Sequence, residues 1–344
     1  MNIVIRTDAS VDLGTGHVMR CLTLADELRQ HDATVHFICR KEPGNLIELI
    51  EKRGYKVHRL SPDIDLNTDQ KLTQNILKNL SIFPDWLIID NYNIDISWES
   101  SLRDFTKKIM VIDDLENKQH DCDILLNQNY GINENQYKGL VSEHCIRLIG
   151  PKNALLRPQF VKLRESLKDH NSKINRIFIF MGGADPTNET CKVLRAVEML
   201  GKTDVSIDVV VGVSNSHQKE IENLVSHLSN ATCYFNTQNM AELMTSAQLC
   251  IGAGGSTSWE RCCVGLPSIV IIIAENQVQI AKSLEKSGAI INLGWWKKVK
   301  ESNIKKAIKT LLEKPTVRKN MAVKSKMIVD GKGAVIVSER ILKV

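Results

Sequence analysis

An α/β fold of two parallel sheets is predicted by three features of this chain. Apolar, Val- and Ile-rich runs of strand length alternate with helical stretches from one end to the other. These runs fall into two sets of six, one in each half of the 344 residues. Glycine-rich or polar turns follow several of them, where a strand would give way to a helix. Strands that are apolar throughout belong to sheets covered on both faces, so two Rossmann-like halves are expected instead of one large sheet.

The first strand is expected over 2–7, apolar at every second position, and Val18, Met19, Leu22, Ala25 and Leu28 then recur at helical spacing up to Gln30. Further strands are expected near 34–39, 56–60, 86–90, 109–112 and 123–126, with helices over 45–52 and 68–80. The second set falls near 176–181, 205–211, 232–235, 248–251, 268–273 and 289–292, with helices over 241–246 and 304–312. Polar residues at 130–137, the prolines Pro151 and Pro158, and the charged stretch 165–173 place the boundary near 150–173. The expected domains are 1–155 and 156–330. A helix over 317–327 then leads through Gly331 and Gly333 to a segment, 331–344, that packs back on the first domain.

Hydrophobic residues make up 43% and charged residues 25%, enough for a core in each half. The formal net charge of +5 is spread without a long basic run, so nucleic acid is not an expected partner. A phosphate-bearing small molecule fits that charge equally well. The nine cysteines are scattered and form no Cys-x-x-Cys pair, the pattern of reduced thiols and not of a disulfide frame or zinc site. No apolar run reaches membrane-spanning length and the chain enters a strand at once, so a cytoplasmic protein is expected.

Gly14-Thr15-Gly16-His17-Val18-Met19-Arg20 joins the first strand to the first helix. Glycines there allow a tight turn and close approach of a ligand. The N–H groups and dipole of the helix start favour an anion or a polar oxygen. The same helix end disfavours an imidazolium, so a neutral His17, able to accept a proton, is a candidate general base. Arg20 lies one turn further on the same edge. A helix-capping histidine and a solvated arginine are the plain alternative. Asp90, Asn91 and Tyr92 close another strand, and Asp113 and Asp114 a third. Paired carboxylates can hold a metal or move protons, but an aspartate after a strand more often caps the next helix, and Asp113 and Asp114 are read so.

In the second half, Met181-Gly182-Gly183-Ala184-Asp185-Pro186 mirrors the first glycine turn. The stronger signal is Gly252-Ala253-Gly254-Gly255-Ser256-Thr257-Ser258-Trp259-Glu260, whose small residues expose N–H groups and hydroxyls suited to a diphosphate. It lacks the lysine of a P-loop and the last glycine of a dinucleotide fingerprint. Thr257-x-x-Glu260 reads equally as a capping box or as a carboxylate for the two hydroxyls of a ribose. Asn276 and Gln277 could read a polar ligand or close a turn.

Asp8-x-Ser10, Gly14-x-Gly-His17-x-x-Arg20, Met181-Gly-Gly-x-Asp185 and the 252–260 stretch continue through Cys262, Gly265-Leu-Pro267 and Asn276-Gln277. Together they resemble the UDP-2,4-diacetamido-2,4,6-trideoxy-β-L-altropyranose hydrolases of pseudaminic acid synthesis, over nearly the whole chain and in the same order. The likeness extends to the GT-B glycosyltransferases. It implies two Rossmann-like domains facing a cleft, with UDP held mainly by the second. It also implies attack of water at the anomeric carbon, C–O cleavage and inversion. Carried onto this chain, His17 would deprotonate the water, with Gly14 and Gly16 facing diphosphate or sugar. Gly182, Gly183, Gly254, Gly255, Ser256 and Thr257 would hold UDP, and Glu260 its ribose. Asp8, Arg20, Tyr92, Arg157, Asn276 and Gln277 would complete the pocket. The expectation is a monomer acting on a UDP-sugar with no metal or cofactor. A GT-B glycosyltransferase, a UDP-sugar 2-epimerase and a non-catalytic nucleotide-sugar binder are the alternatives.

Overall fold

The computed structural model of the chain describes residues 1–166, 173–201, 204–237 and 239–344. Two compact units emerge: Met1–Leu155 together with Lys332–Val344, and Leu156–Gly331. The charged stretch at the expected boundary lies partly outside the described residues, at 167–172.

The first unit contains β1 (Asn2–Thr7), β2 (Thr34–Arg40), β3 (Lys56–Leu60), β4 (Trp86–Asp90), β5 (Lys108–Ile112), β6 (Ile124–Asn127) and β7 (Ile146–Ile149). They form one sheet in the order β3-β2-β1-β4-β5-β6-β7, and every neighbouring pair is parallel. The side chains of β1 separate by parity. Ile3 and Ile5 join the helix Gly16–Arg29 in one core, while Val4 joins Ile38, Leu60, Leu77 and Trp98 on the other face. Burial on both faces explains why these strands read as almost continuous apolar runs.

The second unit contains β8 (Arg176–Phe180), β9 (Ser206–Val211), β10 (Ala231–Phe235), β11 (Leu249–Ala253), β12 (Ser268–Ile272) and β13 (Ile290–Trp295). Its order is β10-β9-β8-β11-β12-β13, again parallel throughout. In each sheet the chain direction of strand addition reverses once, between β1 and β4 and between β8 and β11. Ligands of open parallel sheets bind beyond the carboxyl ends of the strands at such reversals.

Two sets of six strands were expected, and the first sheet has seven. The additional strand, β7, is a four-residue edge strand interrupted by Arg147, with Leu148 its one buried residue. An edge strand that short carries too little periodicity to stand out from the surrounding polar loop. The helix Gly333–Lys343 packs on Gly16–Arg29 through Ala334, Val337 and Ile341, within the core of the first unit. Among the described residues no helix is long and apolar enough to cross a membrane.

Candidate active site

The turn after β1 is closed by the Gly14 N–H donating to the Ser10 carbonyl at 2.9 Å and the Leu13 N–H to the Ser10 hydroxyl at 3.0 Å. Gly14 takes φ +76°, a conformation a side chain would strain. Gly16 opens the helix, and Thr15 before it supplies no side-chain cap. The N–H groups of the first turn therefore have no helical carbonyl to bond and are available to a ligand.

His17 is carried on that first turn and is buried. Its Nδ1 lies 2.6 Å from Oδ1 of Asp90, the last residue of β4. Because Thr7 and Asp90 are register partners on β1 and β4, the pair sits at the reversal point of the first sheet. Arg20, one turn beyond His17, grips the same carboxylate with two bonds of 2.6 Å, from Nε to Oδ2 and from Nη2 to Oδ1. Its third nitrogen, Nη1, reaches Asp114 at 2.8 Å. The Tyr92 hydroxyl donates to Asp114 at 3.0 Å, and its ring stands edge-on to His17 with centroids 4.5 Å apart.

Burial by itself would raise the Asp90 carboxyl, but Arg20 and His17 outweigh it and hold Asp90 far below the usual carboxylate range. Burial would likewise weaken the Arg20 guanidinium, and Asp114 and Asp90 together more than compensate. The carboxylate is thus ionised and acts only as an acceptor, so His17 Nδ1 carries the proton and donates it to Asp90. That arrangement leaves Nε2 as the basic atom of the ring. Arg20 Nη2 also lies 3.2 Å from His17 Nδ1, so the ring stands against both a carboxylate and a guanidinium.

The other expected residues of the first unit divide. Asp8 is buried and accepts from the Arg40 N–H at 2.7 Å and the Asn91 amide at 2.8 Å, while pairing with Arg6 at 2.7 Å. It thereby ties β1, β2 and the residue after Asp90 together. Asp113 and Asp114, read alike from the sequence, have separate duties. Asp113 accepts from the Leu115 and Glu116 N–H groups and from the Tyr137 hydroxyl, closing a turn. Asp114 faces Arg20 and Tyr92 and belongs to the cluster.

In the second unit two glycine turns follow the adjacent strands β8 and β11. Gly182 has φ +95°, and a Cβ on neighbouring Gly212 would collide with the backbone of Gly183. Asp185 accepts from the N–H groups of Glu189 and Thr190, both at 2.9 Å, and so caps the helix Glu189–Glu198. Gly252 leaves no room for a side chain, since a Cβ would lie 2.7 Å from the Phe180 carbonyl oxygen and against buried Arg261. Gln277 is nearly buried. Its Oε1 accepts from the Gly254 N–H at 3.2 Å and the Ile273 N–H at 3.1 Å, holding the loops after β11 and β12 together. Half-buried Asn276 lies in the same single turn, Glu275–Gln277.

The capping box, one of the two readings of Thr257-x-x-Glu260, does not form. The helix Thr257–Val264 begins after Ser256, and no side chain caps it. Glu260 instead accepts from Arg157 at 2.9 Å. Neither side chain is deeply buried, so the pair keeps a solvent-facing edge. Gly255, Ser256 and Thr257 therefore present an uncapped helix start beside a neutralised carboxylate.

Asp90 is the residue the sequence reasoning missed as a site member. The available signal was a strand ending in a charged residue, Trp86-Leu-Ile-Ile-Asp90, on the strand that the fold class places beside β1.

Residues 176–334 match the glycosyltransferase family 28 C-terminal domain. A UDP-2,4-diacetamido-2,4,6-trideoxy-β-L-altropyranose hydrolase from Campylobacter jejuni is 30% identical to the chain, over 84% of this chain and 97% of that protein. The chain belongs to this hydrolase family. An uncharacterized protein of Methanocaldococcus jannaschii is 34% identical over 81% of the chain, which spans only 57% of that relative's length. A spore coat polysaccharide biosynthesis protein of Bacillus subtilis, SpsG, is 25% identical over 98% of the chain and 97% of its own length. Among solved structures, Acinetobacter baumannii MurG superposes with a TM-score of 0.70 at 14% identity, covering 100% of this chain and 99% of that one. The fold is that of the GT-B enzymes.

Proposed function

We propose that this protein is a UDP-sugar-processing enzyme, and specifically one that hydrolyses UDP-2,4-diacetamido-2,4,6-trideoxy-β-L-altropyranose. The observation that carries the reading is the His17–Asp90 pair at the reversal point of the first sheet. A base held by a second group that fixes its tautomer is the arrangement general-base chemistry needs. Water attacks the anomeric carbon from the face opposite UDP, its proton passes to His17 Nε2, and the bond from that carbon to the phosphate oxygen breaks. UDP leaves with the bonding electrons, and the configuration inverts. Asp90 stabilises the imidazolium so formed, and Arg20 balances the carboxylate before the proton arrives. UDP is a good leaving group, so N–H donors at the uncapped helix start 255–257 are assigned most of the stabilisation of developing charge. Glu260, aligned by Arg157, is assigned to the ribose hydroxyls, because a carboxylate would repel the diphosphate.

The family 28 match favours a second reading, transfer of the sugar to an acceptor other than water. Incubation with the UDP-sugar in ¹⁸O-water and without an acceptor separates the two. Isotope in the free sugar alone supports the hydrolase, isotope in UDP removes His17's role, and no UDP release favours the transferase.

A further inference from the structure

Against the opposite side of the first sheet from His17 lies a concavity of about 560 Å³. Strand parity separates the two places. Val35 and Phe37 of β2 pack with the helix Gly16–Arg29, whereas His36 shares the face of Ile38, which packs with β3 and Leu77. The concavity lies over the edge strands β2 and β3 and against the helix Leu66–Lys78. Its volume lies within the range of small-molecule sites.

The lining is one-sided in charge. His36, Lys56, His58 and Arg59 contribute to it, and none of its lining residues is acidic. Arg59 is engaged by Glu51 at 2.7 Å, but Lys56 forms no ion pair among the described residues. His36 Nδ1 and His58 Nε2 stand 3.2 Å apart and share one hydrogen bond. The Asn75 amide adds a donor, the Asn79 amide already donates to the Asn75 carbonyl at 2.7 Å, and Leu72 and Leu80 supply an apolar wall. A cation would meet Lys56 and no carboxylate, whereas an oxyanion would meet Lys56 and the imidazole pair.

We propose that this concavity is a second binding site, for a small organic phosphate whose apolar body rests on Leu72 and Leu80 while its oxyanion faces Lys56 and the His36–His58 pair. Burial, with the His36 ring beside His58 and Lys56 near both, holds the two imidazoles below the ordinary histidine range. A bound anion supplies the opposite charge that the pair lacks.

The full-length protein is titrated with phenyl phosphate and with inorganic phosphate at constant ionic strength, following the histidine ring signals by NMR. Saturable shifts of His36 and His58 without a shift of His17 are expected, with phenyl phosphate saturating at about fivefold or more lower concentration through its apolar contact. H36N and K56Q should each abolish saturation. Lys56 is exposed, so K56Q keeps the test valid if H36N folds poorly. Linear shifts, equal affinity for both probes, or saturation that survives K56Q would overturn the proposal.

Discussion

His17 on the first helix and Asp90 at the end of β4 meet at 2.6 Å across 73 positions of sequence. The contact joins an imidazole to a carboxylate that Arg20 already holds ionised.

If His17 is the base, His17→Ala lowers turnover of the UDP-sugar by about 10²–10⁴ while leaving UDP affinity nearly unchanged. Asp90→Asn, which keeps a partner for Nδ1 but removes its charge, lowers turnover by a similar order. Steady-state kinetics beside calorimetric UDP titration check both, and parallel loss of binding and turnover would count against the base assignment.

Removing Arg20 leaves Asp90 buried without its main counter-charge. Arg20→Ala is expected to cost about 3–5 kcal/mol in urea unfolding, as truncating one partner of a buried pair does. Arg20→Lys recovers only part, because an ammonium cannot hold Asp90 by two bonds and reach Asp114 as well.

For the second unit, Gly212→Ala forces a methyl against the Gly183 backbone. The expected loss is about 1–3 kcal/mol, read as a lowered melting temperature. Displacement of the Gly182 turn should weaken UDP binding in the same variant.

A ribose role for Glu260 is tested by comparing nucleotides. Glu260→Gln should weaken UDP by about tenfold, the scale of a charge-assisted hydrogen bond, and weaken 2′-deoxy-UDP, which keeps only one of the two hydroxyls, by clearly less. Equal weakening of both would reassign Glu260 to holding Arg157 alone.

Acid stability should report His36 and His58. Both titrate below the unfolded value in the folded protein, so the unfolded chain binds more protons as pH falls. Their contribution is intact above about pH 6.5 and declines as pH drops through the unfolded value towards their lowered folded ones. Replacing both by glutamine should flatten the fall in melting temperature between pH 7 and 5.

Much of the fold was readable because each strand of a doubly covered sheet is locally apolar and each helix locally periodic. The glycine turns were readable for the same reason, since Gly14 to Arg20 and Gly252 to Glu260 are contiguous. Asp90 and Asp114 were not, because strand order brings them to Arg20, and order is a property of the whole sheet. β7 was too short to announce itself. Glu260 was ambiguous until Arg157, 103 positions earlier, supplied its partner.

The helix Gly333–Lys343 gives biosynthesis an unusual order. Residues 156–331, encoded in the middle, can complete their own core as soon as they are made. The first unit, although most of it is translated earlier, lacks Ala334, Val337 and Ile341 until the stretch from 332 onward emerges. During that interval the apolar flank of Gly16–Arg29 has no cover from that helix, so a nascent chain halted between 155 and 332 presents a natural target for chaperones and proteases.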